Sequence, residues 1–543
     1  MTNPINDLAN ANCIFVIGSN FAENHPIVAR WVMDAHQRGA ALIVADPRFT
    51  PTAWASDIFL PLMPGSDISL LNAIMHVIVK EKLYNQKFIG ERTTGFEDLC
   101  KTVEAYSPER AERLTGVSAE KIMRSARAYA NAAASSIVYC MGVTQHISGT
   151  QTVIACANLA MLCGQVGRPG TGVNPLRGQD NVQGACDMGA LPNVYPAYQP
   201  VTDPANRDKF AAAWNISAEK LSTKVGLTLV EMTHAIERDE MNGLLIMGEN
   251  PIVGDPNSNH VRRALEKIDF LAVIDIFMTE SAQLADVVLP AASFAEKFGT
   301  KTTTDRRVQW LERAIQPIGE SRADWKIISE IATRLGMEDA FNYRDGMDIW
   351  NEIRKVAPSY AGISLDRIQT TPGGIHWPCL NEDHPGTPIL YVNGFSKSDG
   401  RGVMKPVEHV EPAEPTSDEY PLVLTSGRVV LHYNSGSMTR RSPALLSREP
   451  VMFVQVNPET AEVFGLIAGE SAQVITRRGS VRARVCVSRR IPPGVLFMPY
   501  HFPTMNQLTI DALDPTAKIP EYKVAACRIE PFMEKEEAWQ TSF

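Results

Sequence analysis

CIFVIGSNFAENHPIVARWVMDAHQRGAALIVADPR, residues 13–48, decides the fold. Residues 13–18 (CIFVIG) are a short apolar run ending on glycine, the pattern of a buried parallel strand feeding a loop. Pro26 suits a first helical turn, Ile27, Val28, Trp31, Val32 and Ala35 make one apolar stripe, and Gly39 suits the end of that helix. Residues 41–45 (ALIVA) are a second strand, closed by Asp46-Pro47-Arg48. Strand, helix, strand predicts one βαβ unit of a doubly wound sheet, hence an α/β fold. In such sheets ligands bind beyond the carboxyl ends of the strands, where Gly18, Ser19, Asn20, Asp46 and Arg48 fall. A glycine for close approach, an acid for hydroxyls or a base edge, and a cation for phosphate suit a nucleotide, although Asp46-Pro47-Arg48 alone also reads as a turn. A GxGxxG run is missing after the first strand, which argues against a plain NAD site.

Moving outward, Pro64-Gly65-Ser66-Asp67 reads as a turn and helix cap ahead of a helix carrying Leu70, Leu71, Ile74, Val77 and Ile78. Ser118 caps a helix with Ile122, Ala126 and Tyr129, and residues 136–143 return as a strand ending near Gly142, Thr144, Gln145 and His146. Residues 243–248 (GLLIMG) repeat the strand-then-glycine pattern, a helical segment spans 260–268, and 270–276 (FLAVIDI) form another buried strand. A second nucleotide-sized βαβ unit is therefore expected. Residues 325–335 predict a helix stopped by Gly336; 339–418 reads as loop-rich, with a proline-spaced linker near 411–415. From Tyr420 the texture changes to alternating strands, with a hairpin turn at Arg477-Arg478-Gly479-Ser480, and a small barrel would remove their exposed edges. The expected division is 1–179 and 180–411, two α/β domains, and 412–543, a β-barrel.

The chain has 543 residues, too many for one core, and its 44% hydrophobic and 21% charged residues describe an ordinary globular protein. A formal net charge of −9 with no Lys/Arg run argues against a nucleic-acid surface. Without a long apolar run or a signal-peptide pattern, no membrane span and a cytoplasmic location are expected. The nine cysteines are scattered and never spaced C-x-x-C, which fits a reducing compartment and neither a disulfide framework nor a zinc or iron–sulfur motif. Cys13, Cys140, Cys156 and Cys163 sit in apolar contexts and read as small buried hydrophobes.

Residues 173–189, VNPLRGQDNVQGACDMG, show no strand or helix period and read as an ordered polar loop. Its glycines permit close backbone approach, its amides donate and accept, and Arg177 offers a planar fork for a carboxylate; a surface loop with Arg177 in a rim ion pair suits the composition equally. Extended to GVNPLRGQDNVQGACDMGALPNVYP and preceded by YCMGVTQH, this run closely resembles the catalytic subunits of formate dehydrogenases in the bis-molybdopterin guanine dinucleotide family of molybdenum and tungsten oxidoreductases. The resemblance runs through nearly the whole chain.

It implies doubly wound domains that bind the bis-molybdopterin guanine dinucleotide, carrying molybdenum or tungsten, and a C-terminal double-psi β-barrel. Arg177 stands where the family orients formate, with Gln179 as its polar neighbour. Cofactor contacts carry over to Gly18, Asn20, Asp46, Arg48, Pro64, Gly65, Asp67, Gly142, Thr144, Gln145 and Gly248, and in the barrel to Arg428, His432, Asn434, Asn506, Tyr522 and Lys523. No residue of this chain is expected to ligate the metal; His432 and His146 lack a second ligand at suitable spacing. The family's cysteine-bound [4Fe–4S] segment and its selenocysteine or cysteine metal ligand have no counterpart here, and Met1-Thr2-Asn3-Pro4 corresponds to residues just after that ligand. A start codon placed after an in-frame selenocysteine codon and a real split chain are the competing explanations. This chain alone is expected to be nearly inactive. The resemblance further implies formate or CO2 as substrate and iron–sulfur or other electron-transfer subunits as partners. Another bis-dinucleotide oxidoreductase, such as a nitrate reductase, and a non-catalytic cofactor-binding fragment are the alternatives.

Overall fold

A computed structural model describes residues 1–532. Its first sheet is five-stranded and parallel, built from β1 (Cys13–Ile17), β2 (Ala41–Ala45), β3 (Ile58–Leu60), β4 (Ser135–Tyr139) and β5 (Gly172–Pro175) in the order β3-β2-β1-β4-β5. The sheet carries helices on both faces, which is why its strands are apolar without alternation. Phe15, Ile17 and Ile43 point into one core with Leu70, Ile74 and Ile78 of α2 (Asp67–Lys80), Ile122 and Ala126 of α3 (Ala119–Asn131) and Leu159 of α4 (Gly149–Leu162). Ile14, Val16, Leu42 and Val44 point into the other with Val28, Val32 and Ala35 of α1 (Pro26–Gln37). Successive strands run outward on both sides of β1, so the crevice between the ends of β1 and β4 is the switch point of the sheet.

Gly18 and Gly142 make that crevice possible. Gly18 has φ +57°, and a Cβ on Gly142 would lie 2.6 Å from both Cα and O of Gly18. Backbone meets backbone there, so neither side can yield. Gly142→Ala is expected to cost about 3 kcal/mol, the upper range of overpacking penalties, read as a lowered denaturation midpoint with the slope unchanged.

The second unit is three-stranded and parallel: β6 (Gly243–Met247), β7 (Phe270–Asp275) and β8 (Val287–Pro290) in the order β8-β7-β6. It is flanked by α5 (Leu229–Glu237) and α6 (Ser258–Lys267). An antiparallel sheet of β9 (Gly299–Thr302), β10 (Arg307–Leu311) and β11 (Ile375–His376) follows. The C-terminal lobe is a closed barrel of β12 (Leu422–Gly427), β13 (Phe453–Val456), β14 (Ser471–Thr476), β15 (Gly479–Val487), β16 (Val495–Pro499) and β17 (Ala525–Pro531), ordered β12-β16-β13-β15-β14-β17. Two of its pairings, β12 with β16 and β13 with β15, are parallel, as the interlocked crossings of a double-psi barrel require.

Three expectations need correction. The strand expected over 136–143 stops at Tyr139, and Met141–Thr144 turns into a short helix that delivers Gly142 to the crevice. The polar segment 173–189 is not all loop: β5 uses Gly172–Pro175, and Val182–Asp187 is helical, started by Asn181 in the left-handed region at φ +59°. The segment 339–418, expected to be loop-rich, holds a helix, Gly346–Val356, and a core of Trp350, Ala357, Tyr360, Ile363, Ile368, Ile375 and Cys379. Those apolar residues are too widely spaced to show a period. Farther on, Met404 and Val407 join the core of the first lobe, and Gly402–Val403 pairs parallel with Thr93–Thr94, so the end of the expected 180–411 unit packs onto the 1–179 unit.

Candidate active site

The carboxyl ends of β1, β2 and β4 open into a cavity, about 890 Å³ with the solvent space at its mouth included, that the end of the barrel borders from the other side. The first lobe contributes Gly18, Ser19, Asn20, His25, Asp46, Arg48, Pro64, Asp67, Cys140, Gly142 and His146; the barrel contributes Thr425, Ser426, Gly427, Arg428, Phe497, Tyr500 and Lys523.

Its charge is unusual for a buried place. Lys523 donates from Nζ to Ser426 O at 2.8 Å, and among the described residues no carboxylate lies within ion-pair distance of it. Burial pulls its ammonium down to about 8. Arg48 lies 3.4 Å above the Phe497 ring and donates to Gln455 Oε1 at 3.2 Å; burial lowers its pKa too. Arg428 donates from Nε to Tyr500 OH at 2.6 Å, while its Nη2 is buried without a partner. Asp46 accepts from the Arg48 N–H at 2.9 Å, and burial pushes its carboxyl up to about 6. Asp67 is likewise pushed up by burial. Ser19 Oγ and His25 Nδ1, both at the wall, are also buried and unpaired.

Unpaired buried donors and an uncompensated ammonium cost stability unless something accepts from them. An anionic, many-oxygened group would satisfy Lys523, Arg428 and Ser19 together, with the Gly18–Gly142 crevice admitting it against bare backbone. These residues fit a pyrophosphate-bearing dinucleotide.

Arg177 follows β5 directly. Its N–H donates to Thr304 Oγ1 at 3.1 Å, its carbonyl accepts from His25 Nε2 at 2.9 Å, and its Nη1 reaches Cys186 Sγ at 3.1 Å. The residue is half-buried and does not line the cavity; its backbone borders it through the wall residue His25, while its guanidinium reaches Cys186. The barrel clamps the same turn: Tyr433 OH donates to Gly178 O at 3.2 Å and accepts from the Asp180 N–H at 3.1 Å, and a Cβ on Gly178 would lie 2.6 Å from Arg428 Nη2. Gln179 is half-buried in that turn. Behind it, Asp187 accepts from Gln183 and Tyr198 at 2.7 Å each and from Tyr360.

The other expected contacts lie outside the cavity wall. Gly65, φ +86°, faces Pro412. Thr144 and Gln145 end the short helix behind Gly142. His432 is buried with both ring nitrogens engaged, on Thr439 Oγ1 and Glu449 O. Asn434 lends its carbonyl to His501, whose pKa burial lowers to about 3. Gly248 follows β6 at φ +65°, with open space where a Cβ would lie. Asn506 donates to Val253 O at 2.7 Å, and Tyr522 OH to Gly254 O at 3.0 Å, both tying the barrel lobe to the turn after Gly248. His25, Cys140, Thr425, Ser426, Phe497 and Tyr500 were not expected at the site. Cys140 is a cavity residue and not the buried filler its context suggested, whereas Cys13, Cys156 and Cys163 are core. Ser19, placed at the end of β1 by its position beside Gly18, does line the cavity; the barrel residues among the unexpected ones carry no local signal.

Residues 1–334 match the family Molybdopterin oxidoreductase, and residues 422–526 match the Molydopterin dinucleotide binding domain. The chain belongs to the molybdopterin oxidoreductase family. F420-dependent formate dehydrogenase 1 subunit alpha of Methanococcus maripaludis is 48% identical to this molybdopterin oxidoreductase over 98% of the chain and 78% of that relative. Formate dehydrogenase H of Escherichia coli is 42% identical over 99% of the chain and 76% of that relative. The solved structure of acetylene hydratase from Pelobacter acetylenicus superimposes with a TM-score of 0.77 over 97% of the chain and 78% of its own, and at 21% identity it shows the shared fold alone. As in an oxidoreductase of this family, the C-terminal barrel is the dinucleotide-binding domain, and the cavity with its lysine and arginines lies between it and the first sheet. Among the described residues no helix is long and apolar enough to cross a membrane.

Proposed function

We propose that this molybdopterin oxidoreductase is the catalytic subunit of a formate dehydrogenase, converting formate to CO2, a proton and two electrons, or running the reverse. The observation that carries this reading is the turn after β5, which holds the half-buried Arg177 on the wall residue His25 of a cationic cavity in a chain 48% identical to a formate dehydrogenase alpha subunit. When bound, a molybdenum or tungsten ion held by two pyranopterin guanine dinucleotides supplies two-electron redox chemistry. Lys523, Arg428, Ser19 and the Gly18–Gly142 crevice would hold one dinucleotide's phosphates. Gly248, with Asn506 and Tyr522 buttressing the following turn, would border the other dinucleotide. Arg177 holds the substrate carboxylate by two parallel N–H donors, fixing which way its C–H points, while Gln179 offers a further polar contact. Iron–sulfur or other electron-transfer subunits of the cytoplasm take the electrons.

The holoenzyme isolated with its partner subunits is expected to reduce an artificial dye with formate and to leave nitrate untouched when given reduced dye. Nitrate turnover without formate oxidation would assign the chain to the nitrate branch instead.

A further inference from the structure

His234, Glu237 and His260 meet between α5 and α6, and none of them lines the cavity described above. His234 and Glu237 are three residues apart on α5, so they leave one helical face. His260 comes from the first turn of α6. One ligand atom from each of the three lies within 4.8 Å of the other two. The His234 and His260 rings are 4.5 Å apart at 32°. His260 is 6% exposed, and its Nε2 stands 2.9 Å from Glu237 Oε2 yet has no hydrogen-bond partner. Two close atoms that are not aligned on each other suit lone pairs turned toward a common third point.

We propose that His234, Glu237 and His260 bind a divalent transition-metal ion of the zinc type. Two imidazoles and a carboxylate are the borderline ligand set such ions select, and three protein ligands leave a further position open. His234 and Glu237 are 40% and 39% exposed, which gives the ion a way in. Asp511 adds a second carboxylate at the rim, 3.2 Å from His234 Nε2, and also accepts from Asn257 Nδ2 at 3.3 Å. Asp511 belongs to the segment that carries Asn506, whose amide holds Val253 O and Gly254 O. The bound ion thus fastens the second parallel sheet to the barrel lobe, a structural clamp independent of the redox centre.

Zinc titration of the chelator-treated full-length protein, followed by calorimetry and elemental analysis, tests this. One saturable equivalent is expected, with a raised thermal midpoint. H234A/H260A should lose that equivalent, and Glu237→Gln, a conservative change at a half-exposed position, should weaken binding by about tenfold or more. Asp511→Asn should weaken it by roughly tenfold, the usual effect of an outer carboxylate. Cys486→Ser, at an exposed cysteine, should change nothing. Absence of saturable binding by the parent, or an unchanged equivalent in H234A/H260A or in Glu237→Gln, would overturn the proposal.

Discussion

Arg177→Lys is expected to lower kcat/KM for formate by about 10- to 100-fold while leaving molybdenum or tungsten content and the thermal midpoint where they were. A charge-assisted hydrogen bond contributes about 1.5–3 kcal/mol, and lysine keeps the charge but gives up the second arm of the fork. One bond lost at about 1.4 kcal/mol per decade gives that range. The backbone would not follow the side chain, because the Arg177 N–H, its carbonyl and the neighbouring Gly178 carbonyl are each pinned, by Thr304, His25 and Tyr433. Only the contact of Nη1 with Cys186 is lost from the protein itself. Steady-state kinetics on holoenzyme matched for metal content decides it. A variant with the parent rate and KM would remove Arg177 from substrate binding and leave the turn a structural feature.

Lys523→Met should move stability and cofactor retention in opposite directions. The folded-state pKa of about 8 lies below the ordinary lysine value of 10.5. Between these values the unfolded chain binds more protons than the folded one, so the cofactor-free protein gains stability as pH rises from about 8 to 10.5. Below pH 8 the buried ammonium costs stability on the order of 3 kcal/mol, from about 1.4 kcal/mol per pKa unit. Methionine is similar in length and carries no charge. The variant without cofactor should therefore resist denaturant better at pH 7 than the parent, and the parent's rise across the pH 8 to 10.5 window should vanish in the difference between them. Its metal and pterin content after isolation should fall at least tenfold, because an anion loses its buried cation. Denaturation midpoints at several pH values, with pterin fluorescence on the same samples, read both arms. If the variant is less stable without cofactor, or retains it fully, Lys523 is a core residue and no phosphate ligand.

Much of the frame can be read from local periods alone. β1, α1 and β2 appear at the residues their apolar runs and Pro26 indicate, because each element's pattern is set by neighbours within a few positions. Gly18, Asp46 and Arg48 follow from the same logic, since the carboxyl end of a parallel strand is a binding position wherever the strand is recognised. The Arg177 turn was found through a resemblance, not a period; its surroundings of Gly, Asn and Gln describe many loops. Residues 339–418 read as loop-rich because Trp350, Tyr360 and Ile375 reach one core only after the chain has doubled back.

Strand order and cavity assembly are therefore divided between two sources. Local sequence sufficed for the parallel strands, for the barrel-like texture after Tyr420 and for the glycines at strand ends, because each depends on contacts spanning a few residues. What made Lys523 an uncompensated cation, set Arg48 over Phe497, brought Tyr500 onto Arg428 and drew His260 against His234 was the folding of segments hundreds or tens of residues apart onto one another. Charge in a protein interior takes its meaning from what is within a few ångströms, and no window along the chain contains that neighbourhood.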